Sequence, residues 1–504
     1  NCDSLRSIWI GRYSLSLIKT LIRDHDEEFV LVANANLPDI SSEFSKEISS
    51  SERNVSYFKW YYPKLDDNNS IHSETFKKLA IYLYSYAYTN LKADVILLTS
   101  FFDGFEDFAI TQFDYDFKLP PIASIFYDLI PLLNPSLYLD PNNKYKKFYM
   151  ERVKDLSKLD LFLAISESTA CEIKNNLSLD HNITIKTISS GCNNEIFSRN
   201  TKPAIKEIKI VDDYGDFILY VGAADPRKNI IRLLEAYALL DKDLKNNFKL
   251  VLSGHFTKSE KIKIDRYVSI LNISSDLIIY TGYISDKHLA YLYKKCTLFV
   301  MPSIHEGFGL PVLEAMSCGA AVIASNTTSL PEVLGNKEAL FDPKNSREIA
   351  SLITKCLLNV DFLDNLRSLG LERSKLFTWE KTAQKVYDAI SIYASSKSSS
   401  VELIDLDWEI FKEHRKICFE FLKRKLFKLF SFDSKFTKID ENLRLVAASI
   451  DLINEASTSV NRKISKLPKV LNWRIEGPFD SNYSLAILNC QLSEALYKLN
   501  HNIS

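Results

Sequence analysis

The fold is decided by the stretch SIHEGFGLPVLEAM at residues 303–316. The apolar run 297–301 directly before it is rich in strand-forming residues and predicts a buried strand. After it, Pro311 suits the first turn of a helix, and Gly319 suits the point where that helix ends. Strand, glycine-bearing loop and helix therefore follow one another, as they do in an α/β domain built on a parallel sheet.

The loop and the start of the helix form a predicted ligand site. Glycine lets the backbone approach a ligand closely, and the free N–H groups at a helix start favour an anion such as phosphate. Glu306 lies in the loop and Glu314 lies inside the helix. Helical side chains lean towards the N-terminus, so both carboxylates can face the bound ligand and accept hydrogen bonds from sugar hydroxyls. A ligand with phosphate and polyol parts, a nucleotide-sugar, is predicted.

Composition excludes several classes of protein. The 504 residues should form more than one domain, and the net charge of −1 predicts no affinity for nucleic acid. The eight cysteines form no C-x-x-C pair or Cys/His cluster, which favours reduced thiols in a cytoplasmic protein and disfavours a zinc site. We find no secretory signal peptide and no apolar stretch long enough to span a bilayer. We therefore expect a cytoplasmic protein, with association at the inner face of the cell membrane as an alternative.

Strands alternate with helices along most of the chain, which predicts parallel sheets that bind ligands at the carboxyl ends of their strands. The alternation stops and begins afresh near residue 200, so a cleft is expected between two halves. The predicted units are an N-terminal Rossmann-like acceptor-side domain whose first strand is missing, a Rossmann-like nucleotide-sugar-binding domain, a helix returning to the N-terminal domain, a helical linker and the start of another α/β domain. Their predicted ranges are 1–198, 199–378, 379–395, 396–470 and 471–504.

One family can now be named. Glu306 and Glu314, separated by seven residues that include GFGLP, resemble the signature of family 4 retaining glycosyltransferases of the GT-B fold. The resemblance implies an α/β architecture in which two Rossmann-like domains face each other across a cleft. The turn that starts at Gly222 is similar to the family's glycine turn followed by Arg-Lys, so Arg227 and Lys228 are expected to hold the donor diphosphate and to offset the charge of the leaving group. The alternative is a solvated basic pair that caps a turn.

Two matches in the N-terminal half are incomplete. Gly11 lies in a stretch similar to the family's G-I-G-R-Y, where a glycine loop approaches the donor phosphate across the cleft, but Trp9 replaces the first glycine of that pattern. Tyr127 and Asp128 stand where many relatives carry His-Asp. Asp128 is expected either to orient the acceptor or to cap the turn before Pro131, and both alternatives stay open.

Other residues are assigned by the same resemblance. Gly282, Tyr283 and Ile284 resemble the loop that lines the nucleobase pocket, with an ordinary strand-end turn as the alternative. Of the eight histidines, only His305 lies at the predicted site, and we expect it to be a surface residue without a role.

The resemblance also implies a mechanism. The sugar is transferred with retention through front-face attack, in which the leaving diphosphate assists deprotonation of the acceptor hydroxyl. Glu306 holds donor hydroxyls, and Glu314 holds the ribose. Further donor contacts come from the loop residues Gly307, Phe308, Gly309 and Leu310. No Asp-x-Asp motif stands at the expected place, so neither a metal nor another cofactor is expected.

The resulting hypothesis is a bacterial glycosyltransferase that extends a surface glycan, such as a capsule or O-antigen. GDP-mannose is favoured as the donor over a UDP- or dTDP-sugar, and the acceptor is an oligosaccharide or a lipid-linked glycan. The alternatives are a degenerate, non-catalytic GT-B scaffold and a sugar-nucleotide epimerase. Residues 471–504 resemble the opening of a second glycosyltransferase domain, which predicts a piece of a larger protein. The basic, aromatic segment 411–430 is predicted to be a helix that packs on a neighbouring domain or, less favoured, lies on an anionic membrane.

Overall fold

The computed structural model describes residues 3–34, 55–60, 74–91, 93–105, 109–180, 183–398, 453 and 472–476. Within these ranges the chain forms two parallel β-sheets with helices around them. The predicted α/β architecture with two parallel sheets is therefore confirmed. Of the predicted linker 396–470, the structure describes only 396–398 and 453, and the basic, aromatic segment 411–430 lies outside the described residues.

The N-terminal sheet has seven parallel strands in the order β2-β1-β13-β3-β4-β5-β6. The strands β3, β4 and β5 are buried along their whole length, as expected for apolar runs covered on both faces. The strands are β1 (Glu28–Asn34), β2 (Val55–Trp60), β3 (Val95–Leu98), β4 (Ile122–Phe126), β5 (Leu161–Ala164), β6 (Thr184–Thr187) and β13 (Asn472–Glu476). The helices of this half are Asp3–Asp24, Glu74–Thr89, Ile130–Leu133, Pro135–Tyr138, Lys144–Asp155 and Glu167–Asn176.

The second sheet has six parallel strands in the order β12-β11-β10-β7-β8-β9. Its central strands β7 and β10 are fully buried. The strands are β7 (Phe217–Val221), β8 (Lys249–Ser253), β9 (Ile278–Gly282), β10 (Leu298–Met301), β11 (Val322–Ser325) and β12 (Leu340–Phe341). The helices are Ile205–Asp212, Ile230–Ala238, Lys242–Asn247, Lys258–Ile270, Asp286–Lys295, Leu310–Ser317, Leu330–Leu334, Ser346–Leu358 and Val360–Ser374.

Strand β13 lies between β1 and β3 in the N-terminal sheet, in a position for which no strand from this part of the chain was predicted. It pairs with β1 on one side and with β3 on the other, in the middle of the N-terminal sheet. The first strand of this domain was predicted to be missing, and 471–504 was predicted to open a further domain. The structure differs from this prediction at residues 472–476, which belong to the N-terminal sheet. There the segment, in which apolar and polar residues alternate, forms backbone hydrogen bonds with a parallel strand on each side. The remainder of 471–504 lies outside the described residues, so the second domain stays a prediction.

The helix Trp379–Ser398 packs on the N-terminal half although it follows the second sheet in the chain. Tyr387 donates a hydrogen bond to Glu27 over 2.6 Å, and Tyr393 donates one to Asp160 over 2.9 Å. Arg23 of the first helix forms an ion pair with Glu380 at 2.9 Å. This helix therefore ties the two halves together. None of the helices in the described ranges has the length and apolar character needed to cross a membrane.

Candidate active site

Three charged side chains meet at the carboxyl ends of β7 and β10. Arg227 Nη1 lies 3.0 Å from Glu306 Oε2, and Lys228 Nζ lies 2.7 Å from Glu306 Oε1. Each of the three side chains is at most 12% exposed. The two cations follow β7 and the carboxylate follows β10, and these two strands are hydrogen-bonded neighbours. The sheet therefore brings together residues that are far apart in sequence.

The charge state of this cluster follows from its burial. Burial opposes ionisation of Glu306, but Lys228 and Arg227 outweigh that effect and hold its pKa at about 2. Burial lowers the pKa of Lys228, although the Glu306 carboxylate opposes the shift. Burial also acts against the Arg227 cation, but Glu306 and Asp225 raise its pKa above the ordinary value. The cluster thus holds the Glu306 carboxylate between two cations, with a second carboxylate, that of Asp225, 3.4 Å from Arg227 Nε.

The backbone around Glu306 is fixed from several sides. Its N–H donates to Thr328 Oγ1 over 3.0 Å, and its carbonyl oxygen accepts a hydrogen bond from Ser329 Oγ over 2.9 Å. Arg227 Nη1 also donates to the carbonyl oxygen of His305 over 3.1 Å. The carboxylate is therefore held in place by its main chain as well as by its ion pairs.

Two positions in the loop between β10 and the helix Leu310–Ser317, Gly307 and Gly309, require glycine for steric reasons. A Cβ at Gly307 would collide with the carbonyl oxygen of Tyr127 in the other half of the molecule. Gly309 has a φ of 96° and is the residue before the helix Leu310–Ser317. Both features favour glycine, because a side chain would either block the close approach or strain the left-handed backbone. The predicted strand, loop and helix at 297–319 are confirmed in their order.

The cluster opens into a cleft of about 930 Å³ that is lined by both halves of the molecule. Arg227, Lys228 and the stretch 306–311 line it from the C-terminal half, and Asp128 is among the residues that line it from the N-terminal half. Asp128 Oδ1 also accepts a hydrogen bond from the N–H of Ile130 over 3.0 Å, so it caps the turn before Pro131 while its side chain borders the cleft. The two alternatives for Asp128 are compatible in this geometry.

Tyr127, in the place of the family's histidine, is buried and anchored. Its hydroxyl donates to the carbonyl oxygen of Thr99 over 3.0 Å and lies 3.1 Å from Ser14 Oγ. Burial raises the pKa of this phenol well above its usual range. The ring makes an edge contact with Tyr13, with centroids 5.3 Å apart. Tyr127 therefore contributes a fixed wall to the cleft rather than a group that exchanges protons near neutral pH.

The expectation that His305 is a surface residue was wrong. Its side chain is 9% exposed, and its Nε2 lies 2.8 Å from Glu172 Oε1 in the helix Glu167–Asn176 of the N-terminal half. Its Nδ1 lies 3.5 Å from the amide nitrogen of Asn134. Sequence reasoning missed this contact because its partners belong to the other half of the chain. Two further contacts cross the cleft nearby: Thr169 Oγ1 donates to the carbonyl oxygen of Gly307 over 3.2 Å, and Glu332 accepts from the N–H groups of residues 167 and 168.

Several predicted residues lie away from this cleft. Gly11 is inside the helix Asp3–Asp24, so the glycine loop predicted there was wrong. A single glycine within a helix costs only about 1 kcal/mol, which the buried face of a helix this long can offset. Glu314 is 3% exposed and accepts a hydrogen bond from Tyr293 over 3.3 Å. It does not line the cleft.

The predicted nucleobase loop follows β9. Gly282 has a φ of 68°, Tyr283 is 59% exposed, and Ile284 packs against the core. Gly222 follows β7, where its carbonyl oxygen lies so close to Gly254 that a Cβ on Gly254 would collide with it. These residues border the same edge of the sheet as the charged cluster without lining its cleft, and their role in nucleotide binding stays a prediction.

Within the part of the chain that the structure describes, no three His, Cys, Asp or Glu side chains form a group able to hold a metal ion. The expectation of metal-independent chemistry stays a prediction as well.

Comparison with known proteins finds relatives of parts of the chain. Residues 201–372 match the family described as Glycosyl transferases group 1. The serotype-specific mannosyltransferase WbdA of Escherichia coli is 36% identical over 302 residues, which cover 59% of this chain and 36% of that protein. The O-antigen chain mannosyltransferase B of Escherichia coli is 27% identical over 398 residues, which cover 76% of this chain and 96% of that protein. The chain thus spans little more than a third of the first relative.

Solved structures agree on the architecture. Sucrose-phosphate synthase from Thermosynechococcus elongatus covers 73% of this chain with a TM-score of 0.54 at 18% identity, and all of that chain is matched. Anabaena HepE in complex with UDP and glucose also covers 73% of this chain, with a TM-score of 0.51 at 15% identity and with all of its own chain matched. At such identities the likeness shows the fold alone. The chain therefore has the GT-B fold and carries a glycosyltransferase group 1 domain at residues 201–372.

Proposed function

We propose that this protein transfers a mannosyl group from GDP-mannose, with retention of configuration, to a growing bacterial surface glycan of the O-antigen type. The observation that carries the proposal is the buried cluster of Arg227, Lys228 and Glu306 at the cleft between the two halves. The choice of mannose is supported by the two Escherichia coli relatives, which are described as mannosyltransferases. Because the chain covers little more than a third of the first of them, donor and acceptor are carried over as proposals.

In this proposal the two cations take the donor diphosphate. Arg227 offers a planar fork that suits two phosphate oxygens, and Lys228 offers a compact point charge. The N–H groups at the start of the helix Leu310–Ser317 add positive potential on the same side of the cleft. Together they stabilise the charge that grows on the departing nucleoside diphosphate, so the reaction requires neither a metal ion nor another cofactor.

Glu306 takes the sugar side of the donor. Its pKa of about 2 keeps it ionised at neutral pH, so it can accept hydrogen bonds from donor hydroxyls and offset positive charge on the anomeric carbon. Asp128 borders the opposite side of the cleft and orients the acceptor hydroxyl. The leaving diphosphate receives the proton of that hydroxyl as the new bond forms on the face from which it departs. The proposed reaction takes place on the cytoplasmic side, with an oligosaccharide or a lipid-linked glycan as the acceptor.

Thermal unfolding with GDP, UDP and dTDP tests the donor, because a ligand that binds only the folded state raises the apparent stability. We expect the largest shift with GDP, and we expect Arg227→Ala to remove most of it. Mannosyl transfer should fall by at least about a hundredfold in Arg227→Ala and in Glu306→Ala, which is the size found when one preorganised charge-stabilising group is lost. Arg232→Ala, which removes a half-exposed arginine in the neighbouring helix, is the control and should behave as wild type.

Three outcomes would change the proposal. A larger thermal shift with UDP or dTDP than with GDP would mean that the donor is a UDP- or dTDP-sugar. The absence of any nucleotide shift would favour a non-catalytic GT-B scaffold. Transfer at the wild-type rate in Glu306→Ala would remove Glu306 from the mechanism.

A further inference from the structure

The cleft continues beyond the charged cluster along a surface made of aromatic side chains. This surface, called here the aromatic wall, consists of Phe102, Phe105, Tyr138, Tyr145 and Tyr149, all of which line the cleft. Its residues come from the loop after β3, from the helix Pro135–Tyr138 and from the helix Lys144–Asp155. None of these segments carries a residue that was predicted to act in the site. The wall is therefore a part of the cleft to which the proposed reaction has so far assigned no role.

The rings of the wall are fixed by one another. Phe102 and Tyr149 are stacked with centroids 4.9 Å apart and an angle of 18° between their planes. Phe105 meets Tyr145 edge to face at 5.0 Å, and Tyr145 lies 5.8 Å from Tyr149. Gly104, with a φ of 101°, brings the loop so close that a Cβ there would collide with the carbonyl oxygen of Ala109. The wall is thus a preorganised surface.

Four of the five side chains of the wall are only partly covered by protein. Phe102, Phe105, Tyr138 and Tyr145 are half-buried, while Tyr149 behind them is 2% exposed. Since the half-buried rings line the cleft, their uncovered area is available to a ligand in it. Apolar ring area with a few polar groups around it is the usual composition of a small-molecule site.

Charge distinguishes this end of the cleft from the other. The polar residues beside the wall carry two carboxylates, one ammonium group and two neutral amides, and they are Asp103, Asp140, Lys144, Asn142 and Asn143. The Arg152 guanidinium is 2% exposed and does not line the cleft. A phosphate would therefore find little net attraction here, whereas the other end offers two cations, Arg227 and Lys228, to a phosphate even though the Glu306 carboxylate lies between them. The complementary ligand is neutral, with hydroxyls at its edge and an apolar face, and a hexopyranose ring meets these requirements.

We propose that the aromatic wall binds a neutral hexose of the acceptor glycan, with the apolar C–H face of the pyranose ring packed on Phe105 and Tyr145. This inference rests on the proposed function, because it takes the charged cluster to be the donor end of the same cleft. The volume of about 930 Å³ lies near the upper limit of roughly 300–1,000 Å³ that is usual for ligand sites, so an acceptor unit has room beside a donor. The wall thereby selects an uncharged sugar, and not a phosphate-bearing group, as the unit next to the reaction centre.

The test is direct binding of a neutral α-linked mannose trisaccharide to the purified chain, measured by titration calorimetry. Phe105→Leu keeps an apolar side chain without a ring, and Tyr145→Phe keeps the ring without its hydroxyl. We expect Phe105→Leu and Tyr145→Ala to weaken trisaccharide binding about tenfold, the size that fits the loss of a ring contact. Tyr145→Phe should bind as wild type. The control is Tyr267→Ala, which removes a 42%-exposed tyrosine in the helix Lys258–Ile270 and should change nothing.

A second readout separates this inference from the proposed function. The thermal shift with GDP should stay at its wild-type value in all four variants, because none of the altered residues belongs to the charged cluster. In transfer assays the acceptor KM should rise about tenfold in Phe105→Leu and Tyr145→Ala while kcat stays near wild type.

Unchanged trisaccharide binding in Phe105→Leu and Tyr145→Ala, with the GDP shift intact, would overturn the inference alone. Equal losses in Tyr145→Phe and Tyr145→Ala would also overturn it, because the hydroxyl would then be the binding group. Ring-dependent trisaccharide binding without any nucleotide shift would overturn the proposed function alone.

Discussion

Replacing Glu306 by glutamine removes the carboxylate that lies between two buried cations and keeps the side chain almost the same size. Lys228 then loses the carboxylate that pairs with it, and Arg227 keeps only that of Asp225, 3.4 Å from its Nε. Removing one partner of a buried ion pair typically costs about 3–5 kcal/mol, because the remaining charge stays desolvated. The pKa gives a similar figure: a fall from 4.5 to about 2 corresponds to about 3 kcal/mol of stability. We expect Glu306→Gln to lower the free energy of unfolding by about 3 kcal/mol at pH 7.

The sign of the pH dependence follows from the depressed pKa. A carboxylate whose pKa is lower in the folded state contributes stability above its unfolded pKa and loses that contribution as the pH falls towards the folded pKa. For Glu306 the window runs from about pH 4.5 down to about pH 2. The stability difference between wild type and Glu306→Gln should therefore be constant from pH 7 to pH 5 and should narrow below pH 4.5.

Binding of GDP should restore part of the stability that Glu306→Gln loses. In the wild-type protein the diphosphate has to share Arg227 and Lys228 with a nearby carboxylate, and this repulsion is absent in Glu306→Gln. We expect the variant to bind GDP at least about tenfold more tightly, a difference of about 1.4 kcal/mol, although it transfers no sugar. Urea unfolding gives the stability, and titration calorimetry gives the affinity.

The matched control is Glu235→Gln, which alters a half-exposed pair with Arg232 and should cost less than about 1 kcal/mol. A variant at residue 306 as stable as wild type at pH 7 would refute the reasoning. So would a stability difference that persists unchanged below pH 3, or GDP binding weaker than in the wild type.

Three further predictions concern the surroundings of the cluster. Gly307→Ala should keep the GDP shift but reduce transfer by at least about a hundredfold in a kinetic assay, because its methyl group would prevent the close approach of the two halves. His305→Ala and Glu172→Ala should each raise the donor KM several-fold, and the double variant should be no worse than the single ones, since both remove the same 2.8 Å contact across the cleft. Tyr293→Phe should lower the free energy of unfolding by about 1 kcal/mol in urea, because it removes a buried hydrogen bond to Glu314.

A strand can be predicted from sequence most directly where burial on both faces leaves a continuous apolar run. The runs at β4, β7 and β10 are of this kind, and each ends in a polar or glycine loop. The edge strand β2, with sequence VSYFKW, was not predicted, because its serine and lysine interrupt the apolar pattern and its structure depends on pairing with β1. The helix Lys144–Asp155 was missed for a related reason: its buried residues are Tyr149 and Arg152, which produce no apolar period.

In the candidate site, too, residues with a local sequence pattern could be predicted and contacts between distant parts of the chain could not. Arg227, Lys228 and Glu306 were assigned through local patterns on strand-to-loop junctions, and parallel strands bring such junctions to one edge of a sheet. Contacts between the halves could not be assigned in this way, because no local pattern links His305 to Glu172. The prediction for Gly11 was wrong because a local pattern was given too much weight. A short glycine pattern was taken as a loop, whereas the surrounding residues form a helix of 22 residues.

The helix Trp379–Ser398 limits where this chain can be truncated without exposing its core. The region that matches the glycosyltransferase group 1 family ends at residue 372, before this helix begins. Yet Ala383, Val386 and Ile390 are fully buried, and the helix packs on the first helix of the chain. A protein trimmed at the family boundary would expose an apolar groove on its N-terminal half. The region 201–372 that matches the family is therefore shorter than the packed unit, and a trimmed protein needs residues beyond 372 to cover this groove.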